Sequence, residues 1–262
     1  MTVFGFLLFK IVFCDGVQMK ITELYAYGRK TVTGTWYISH ATTVSRLYFP
    51  HTGGAYYISG GVKTFFEPGK VYLLTSSEHY TLGLCDGASF DHTYFDFDII
   101  PPLSSPLILP AAGVLSHACR YCDELISEFR ERPDWLADFM TAELDNILLF
   151  IEKTEYPQRV SDARIEEAMS FIRENFSRPI TVSDIAARVH LEKTYLIKLF
   201  KRTVRMTPHV YLRAYRLDRA EAMLRSGISV GDAALLCGFE STSSFSHTFK
   251  KSRGYPPAEF RR

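Results

Sequence analysis

One phrase occurs twice in the last third of this 262-residue chain, and no other feature limits the available folds as tightly. The downstream copy, residues 228–262, reads ISVGDAALLCGFESTSSFSHTFKKSRGYPPAEFRR. Ser229 is placed to cap a short helix through Ala233, Ala234 and Leu235. Gly238 ends that helix, because the turn needs a positive φ that glycine adopts at little cost. Phe239 returns to the core. Residues 242–251 then form a second helix with Phe245 and Phe249 one turn apart on its buried face. The opposite face carries Thr242, Ser243, Ser246, His247, Lys250 and Lys251, all hydrogen-bond donors or cations. Gly254 and Pro257 stop the helix and start a last turn to Phe260.

The upstream copy is residues 180–208. Val182, Asp184 and Ala186 stand 48 residues before Val230, Asp232 and Ala234; Phe200, Lys201 and Pro208 stand 49 before Phe249, Lys250 and Pro257. The slip of one residue falls at the turn, where length changes are tolerated best. Thr181 with Asp184 predicts an N-terminal cap. The second helix, 192–202, buries Leu196, Leu199 and Phe200 and exposes Lys193, Thr194, Tyr195, Lys198, Lys201 and Arg202. Two positions depart from the downstream copy. His190 stands where Gly238 does, and Arg205 where Gly254 does. Both are expected to take positive φ, at a cost of about 1 kcal/mol or somewhat more. His190 is read as a tolerated left-handed residue rather than a functional histidine. Between the copies, residues 207–226 place Val210, Leu212, Tyr215, Leu217, Ala220, Met223 and Leu224 at helical spacing behind Pro208. They predict a connecting helix.

A short bracing helix, a turn and a polar, cationic second helix have the chemistry of a helix-turn-helix that lays its second helix in a DNA groove. Charge agrees. Residues 162–262 hold 18 Lys and Arg against 11 Asp and Glu, whereas residues 1–161 hold 12 against 18. A net +7 on the half that carries both motifs is the footprint of a nucleic-acid partner. The bland alternative is an ordinary helical hairpin with a lysine-rich face.

The downstream phrase resembles the signature of the AraC/XylS family of bacterial transcription regulators. Ala234, Gly238, Phe239, Ser244, Phe245, Ser246, Phe249, Lys250, Gly254, Pro257, Phe260 and Arg261 fit that pattern. The resemblance implies two helix-turn-helix motifs, at 181–202 and 229–252, whose second helices enter successive major grooves about 34 Å apart. Lys and Arg would mostly grip phosphate, while Thr194, Lys198, Ser243 and His247 are better placed for base edges. It further implies a double-stranded DNA operator, RNA polymerase as a partner, a homodimer, and no enzymatic activity.

Residues 19–110 are rich in Tyr, Phe, Val and Thr, with glycine-containing turns at regular intervals. Strands are expected from Met19 and over 35–38, 46–49, 55–59, 62–66, 71–74, 80–84 and 93–99. Short strands at this spacing suggest a β-sandwich or small barrel. The order YYISGGVK, PGKVYLLT and His79 resembles the cupin-like effector domain that often precedes such a DNA-binding half. The fold class is therefore multi-domain α+β: an N-terminal cupin-like β-barrel with two helices, then an all-α domain with two helix-turn-helix motifs. A cupin enzyme would need clustered histidines with a carboxylate, and His51, Glu67 and His79 stand apart in the sequence. No metal, cofactor or catalytic residue is expected. His51, Tyr57, Glu67 and His79 are candidates to line an effector pocket, the effector being a small molecule such as a sugar. A packed or solvated strand residue is the alternative for each.

Residues 111–153 carry two apolar stripes. Leu115, Ala118, Cys122, Leu125, Ile126 and Phe129 form one, and Leu136, Phe139, Met140, Leu144, Ile147, Leu148 and Ile151 the other. The family resemblance assigns these helices to dimerisation, through Leu144, Leu148 and Ile151; packing within the chain is the alternative. Cys119 and Cys122 have C-x-x-C spacing but fall inside a helical pattern without a second ligand pair, which favours packing over zinc or redox chemistry. Five cysteines without a framework suit a reducing cytoplasm. Residues 154–161 are a polar linker. Residues 1–18 form an apolar extension too short to span a membrane and interrupted by Lys10. The preferred reading starts the protein at Met19; an apolar arm or an export signal are the alternatives. Together these observations predict a cytoplasmic, ligand-responsive DNA-binding regulator, an activator in sign, with a carbohydrate or other small-molecule metabolism operon as its target. A ligand-independent regulator and a cupin-type enzyme fused to a DNA-binding domain are the competing classes.

Overall fold

The computed structural model describes residues 19–34, 36–39, 42–76, 80–155 and 162–261. Residues 1–18, His79 and residues 156–161 of the expected linker lie outside the described residues. Nine strands come first: β1 (Lys20–Thr33), β2 (Tyr37–Ser39), β3 (Ser45–Pro50), β4 (Ala55–Ser59), β5 (Val62–Phe65), β6 (Lys70–Leu74), β7 (Tyr80–Leu84), β8 (Ser89–Ile100) and β9 (Leu107–Pro110). They make two antiparallel sheets, ordered β1-β8-β3-β6-β9 and β2-β7-β4-β5.

The strand β8 shows why the layers stack as they do. Its alternation puts Phe95, Phe97 and Ile99 on one side and Phe90 on the other. Phe90 joins Tyr48, Tyr57, Phe66, Tyr72 and Tyr80 in an aromatic core drawn from both sheets. Phe95, Phe97 and Ile99 instead meet two helices, α1 (Gly113–Glu128) and α2 (Asp134–Glu155). The five-stranded sheet is thus covered on both faces, by the smaller sheet and by the helix pair.

This arrangement corrects the dimer assignment. Leu144 and Leu148 are 0% exposed and Ile151 is 0% exposed within the single chain. They pack on β1 and β8 with Leu115, Cys119 and Cys122. The five-stranded sheet needs a cover for its second apolar face, and α1 and α2 supply it. Each such side chain contributes about 1.5–3 kcal/mol on burial. Cys119 and Cys122 are packing residues of this core, and burial pushes both thiols up to about 12.

The remaining chain is helical: α3 (Ala163–Asn175), α4 (Val182–Arg188), α5 (Lys193–Val204), α6 (Pro208–Arg225), α7 (Val230–Leu236), α8 (Thr242–Arg253) and a closing 3-10 turn, Pro257–Arg261. Two small cores hang on α6. Its first half supplies Tyr211 and Leu212 to a core with α3, α4 and α5. Its second half supplies Leu217, Ala220 and Leu224 to a core with α7 and α8. Phe176, just past α3, packs against both. At 1.5 Å per residue the 18-residue helix α6 spans about 27 Å, so it fixes the separation of the two units.

Candidate nucleic-acid interface

The two helical units are built to the same local plan. Thr181 and Asp184 form a reciprocal capping box on α4. Ser229 accepts from the Asp232 amide at the start of α7, and Thr207 caps α6 with Pro208 at its first position. At the turns, the amides of Leu191 and Phe239 reach back to the carbonyls of Ala186 and Ala234. Those two bonds close the same C-terminal motif in each copy. Its left-handed residue is His190 (φ 53°) in the first copy and Gly238 (φ 73°) in the second. Arg205 (φ 60°) and Gly254 (φ 88°) likewise match, as left-handed caps of α5 and α8. The repeat slips where expected: the turn is residues 189–192 in one copy and 237–241 in the other.

The polar faces of α5 and α8 are open to solvent. Lys193, Thr194, Tyr195, Lys198, Lys201 and Arg202 on α5 are all exposed, as are Thr242, Ser243, His247, Lys250 and Lys251 on α8; Ser246 is half-buried. Leu196, Leu199 and Phe200 anchor α5 from beneath, and Phe245 and Phe249 anchor α8. Glu192 caps α5 by accepting from the Tyr195 amide, and the amides of Thr194 and Tyr195 hold its carboxyl below the usual range. Each helix therefore offers donors and cations on a rigid bed, the arrangement that grips phosphate and reads base edges.

The effector candidates do not come together. Tyr57 sits in the inter-sheet aromatic core, 6% exposed. His51 lies on the helix side, with Nε2 2.8 Å from Thr93 Oγ1 and 3.5 Å from Asp123 of α1. Glu67 is a surface residue paired with Lys70 at 2.9 Å. His79 lies outside the described residues. The alternation of a strand sends neighbours to opposite faces, so three polar residues on different turns and strands share no wall. Among the described residues, no group of three His, Cys, Asp or Glu side chains is placed to hold a metal ion.

Sequence reasoning missed a buried polar seam between the β-rich half and the helical half. Asp218 of α6 is 5% exposed. Its Oδ2 accepts from the Thr43 amide and hydroxyl, both at 2.7 Å, and its Oδ1 from Arg253 Nη2 at 2.5 Å. Arg253 Nε also donates to Glu221 Oε2 at 2.9 Å. Arg46 of β3, itself buried, pairs with Asp96 and Tyr80, and Arg219 of α6 pairs with Glu23 of β1. Nearby, Tyr25 Oη donates to Asp98 at 2.5 Å, and burial pushes the Asp98 carboxyl up to about 6. The signal was present in the sequence. Asp218 falls on the stripe of Tyr211 and Tyr215, and Arg253 falls one turn past Phe249 on the buried stripe of α8. A charge on an apolar stripe implies a buried partner.

Two capped helix–turn–helix units on one connecting helix, with exposed polar second helices, define a DNA-binding module joined to a β-rich domain. The comparisons agree. Residues 185–262 match the family model described as a helix-turn-helix domain. The melibiose operon regulatory protein of Escherichia coli K12 is 31% identical over 120 residues, which is 44% of this chain and 40% of that protein. The transcriptional activator RhaS of Klebsiella pneumoniae is 29% identical over 44% of this chain and 42% of its own length. This chain thus spans less than half the length of these curated relatives. The crystal structure of ToxT from Vibrio cholerae O395 superposes with a TM-score of 0.67 over 90% of this chain and 96% of that one, at 15% identity, which is a likeness of fold. Residues 185–262 thus carry a helix-turn-helix domain, the segment that holds the downstream signature residues.

Proposed function

We propose that the protein is a sequence-specific transcription regulator in which α5 and α8 read two segments of an operator and the β-rich half is a cupin-like effector domain. The observation that carries this reading is the pair of exposed, donor-rich helices held at a fixed distance by α6. Lys193, Lys201, Arg202, Lys250 and Lys251 grip phosphate, Thr194, Lys198, Ser243 and His247 face base edges, and Tyr195, Thr242 and Ser246 complete the two polar faces. The melibiose operon regulatory protein among the relatives supports a sugar or other small-molecule effector and a carbohydrate operon as target. We take RNA polymerase and a second copy of the chain as its further partners, in the cytoplasm and without a cofactor. With Leu144, Leu148 and Ile151 covered by their own sheet, the dimer contact falls to the outer aromatic face of the helix pair, where Tyr121 and Trp135 are 44% and 49% exposed around Phe139.

A second reading has its own support. Tyr57, Phe66, Tyr72 and Phe90 pack ring against ring between the sheets, which suits a ligand-independent regulator whose β-rich half is a scaffold. Titration with candidate sugars followed by operator binding separates the two readings. DNA reading itself is tested by anisotropy on a duplex selected from a random pool and on an unrelated duplex, across salt. The selected duplex should bind at least tenfold more tightly, and Lys250→Ala should weaken both alike and reduce the salt slope by about 1. Equal affinity for both duplexes would overturn the proposal.

A further inference from the structure

Asp218 is one carboxylate shared by two domains. It lies on α6, the helix that spaces the reading helices. From the β-rich half, Thr43 supplies two donors, its amide and its hydroxyl, each 2.7 Å from Oδ2. Thr42 Oγ1 stands 3.4 Å from both carboxylate oxygens. From the other side comes Arg253, the last residue of α8, whose side chain is 0% exposed and which also holds Glu221. Burial pushes the Asp218 carboxyl up, and Arg253 opposes that shift. Removing one partner of such a buried, hydrogen-bonded charge is costly, so the three groups hold one another in place.

The geometry around the seam decides what it does. The seam grips α6 and the C-terminal end of α8, while the reading residues of both helices, the half-buried Ser246 apart, stay exposed. Docking of the β-rich half therefore leaves the reading faces uncovered. It fixes the end of one reading helix, α8, and makes no ion pair with α5 among the described residues. The segment that holds Asp218 leads straight into β3, whose Arg46 is paired with Asp96 of β8 and with Tyr80 of β7. Thr43 is thus joined through β3 to β7 and β8, and through Asp218 to Arg253.

We propose that the Thr43–Asp218–Arg253 relay is the route by which the β-rich domain sets the position of the second reading helix, with Asp218 as a positioning residue rather than a DNA contact. The inference rests on the DNA-reading proposal above. Its test uses the full chain and two duplexes: one selected by the wild type from a random pool, and one in which the half-site read by α8 is scrambled. Thr43→Val removes one donor at nearly constant shape. It should bind the selected duplex about fivefold more weakly, in the range of coupling between sites, yet bind the scrambled duplex as the wild type does. Thr43→Ser, which keeps the hydroxyl, should restore binding. Arg253→Lys should show the same selective loss, and the double variant should lose little more than either alone. A fivefold loss on both duplexes, additive losses, or no loss in variants that melt like the wild type would overturn the relay alone. If Thr43→Val does not fold, Arg253→Lys against Thr43→Ser decides it by the same outcomes. A wild type that binds both duplexes equally would overturn the DNA reading and the relay with it.

Discussion

The two copies of the motif reach one backbone by different means. Both turns carry a left-handed residue and close with the same pair of hydrogen bonds. In the second copy the residue has to be glycine for two reasons. Its φ is 73°, and a Cβ there would lie 2.8 Å from the carbonyl oxygens of Phe176 and Ser177. In the first copy the residue is an exposed histidine, so only the torsional cost applies. The comparison separates the two constraints on such a turn: the torsion is set by the helix pair, and the demand for glycine by how closely a neighbouring backbone approaches.

The largest effect that follows is at Gly238. Gly238→Val meets both constraints and should cost about 3–5 kcal/mol, read as a drop in thermal midpoint together with loss of α8 helicity. A variant that melts within a degree or two of the wild type would break the steric half of the comparison. A smaller effect concerns how the copies meet the β-rich half. The second copy is tied through Asp218 and Arg253, whereas Asp98 faces Tyr215 and Arg173 beside the first. Burial raises Asp98 from the model-compound 3.8 to about 6, so the folded state binds this proton more tightly than the unfolded state does. That sign makes the contribution fully present below about pH 4 and lost as pH rises through 6, by about 2–3 kcal/mol at 1.36 per pH unit. Asp98→Asn should flatten that part of the stability–pH curve, measured by urea unfolding between pH 4.5 and 7.5. An unchanged slope would remove Asp98 as its source. The smallest effect is at the first turn. His190→Gly relieves the torsional cost and gives the unfolded chain more freedom, so it should be neutral or stabilising by up to about 1 kcal/mol. A clearly lower melting temperature would show that the histidine side chain supports the turn.

The same contrast explains what was legible in the sequence. Local rules were enough for the helical half. The cap at Thr181, the stop at Gly238, the positive φ at His190 and Arg205, and the exposed faces of α5 and α8 all depend on residues within one or two turns. Strand positions were legible too, since β4, β6 and β7 alternate or bound themselves with glycine. The long β1 edge strand and β9 were less so, because pairing with β8 and β6 across the chain extends them. What the sequence left open was which partner covers an apolar stripe, or which residues share a pocket wall. The stripe of Leu144, Leu148 and Ile151 reads equally well as a dimer seam or as the lid of a sheet, and it is the lid. The net charge of the C-terminal half overstates its DNA face as well. Arg216 donates to the carbonyls of Phe176 and Arg178, and Arg219, Arg225 and Arg253 meet carboxylates in the seam or on α6. A stripe can show that a residue is buried, but the partner that buries it lies on another element and leaves no mark in the local pattern.

The central claim is that α5 and α8 read separate stretches of one DNA site. The direct measurement is a scan of single base-pair changes across a selected operator, by anisotropy, for the wild type, Lys198→Ala and His247→Ala. Each variant should lose about 1–3 kcal/mol and relax discrimination at a few base pairs. The two sets of base pairs should lie about one helical turn, roughly 34 Å, apart. Overlapping sets, or unchanged affinity and discrimination in both variants, would contradict the account.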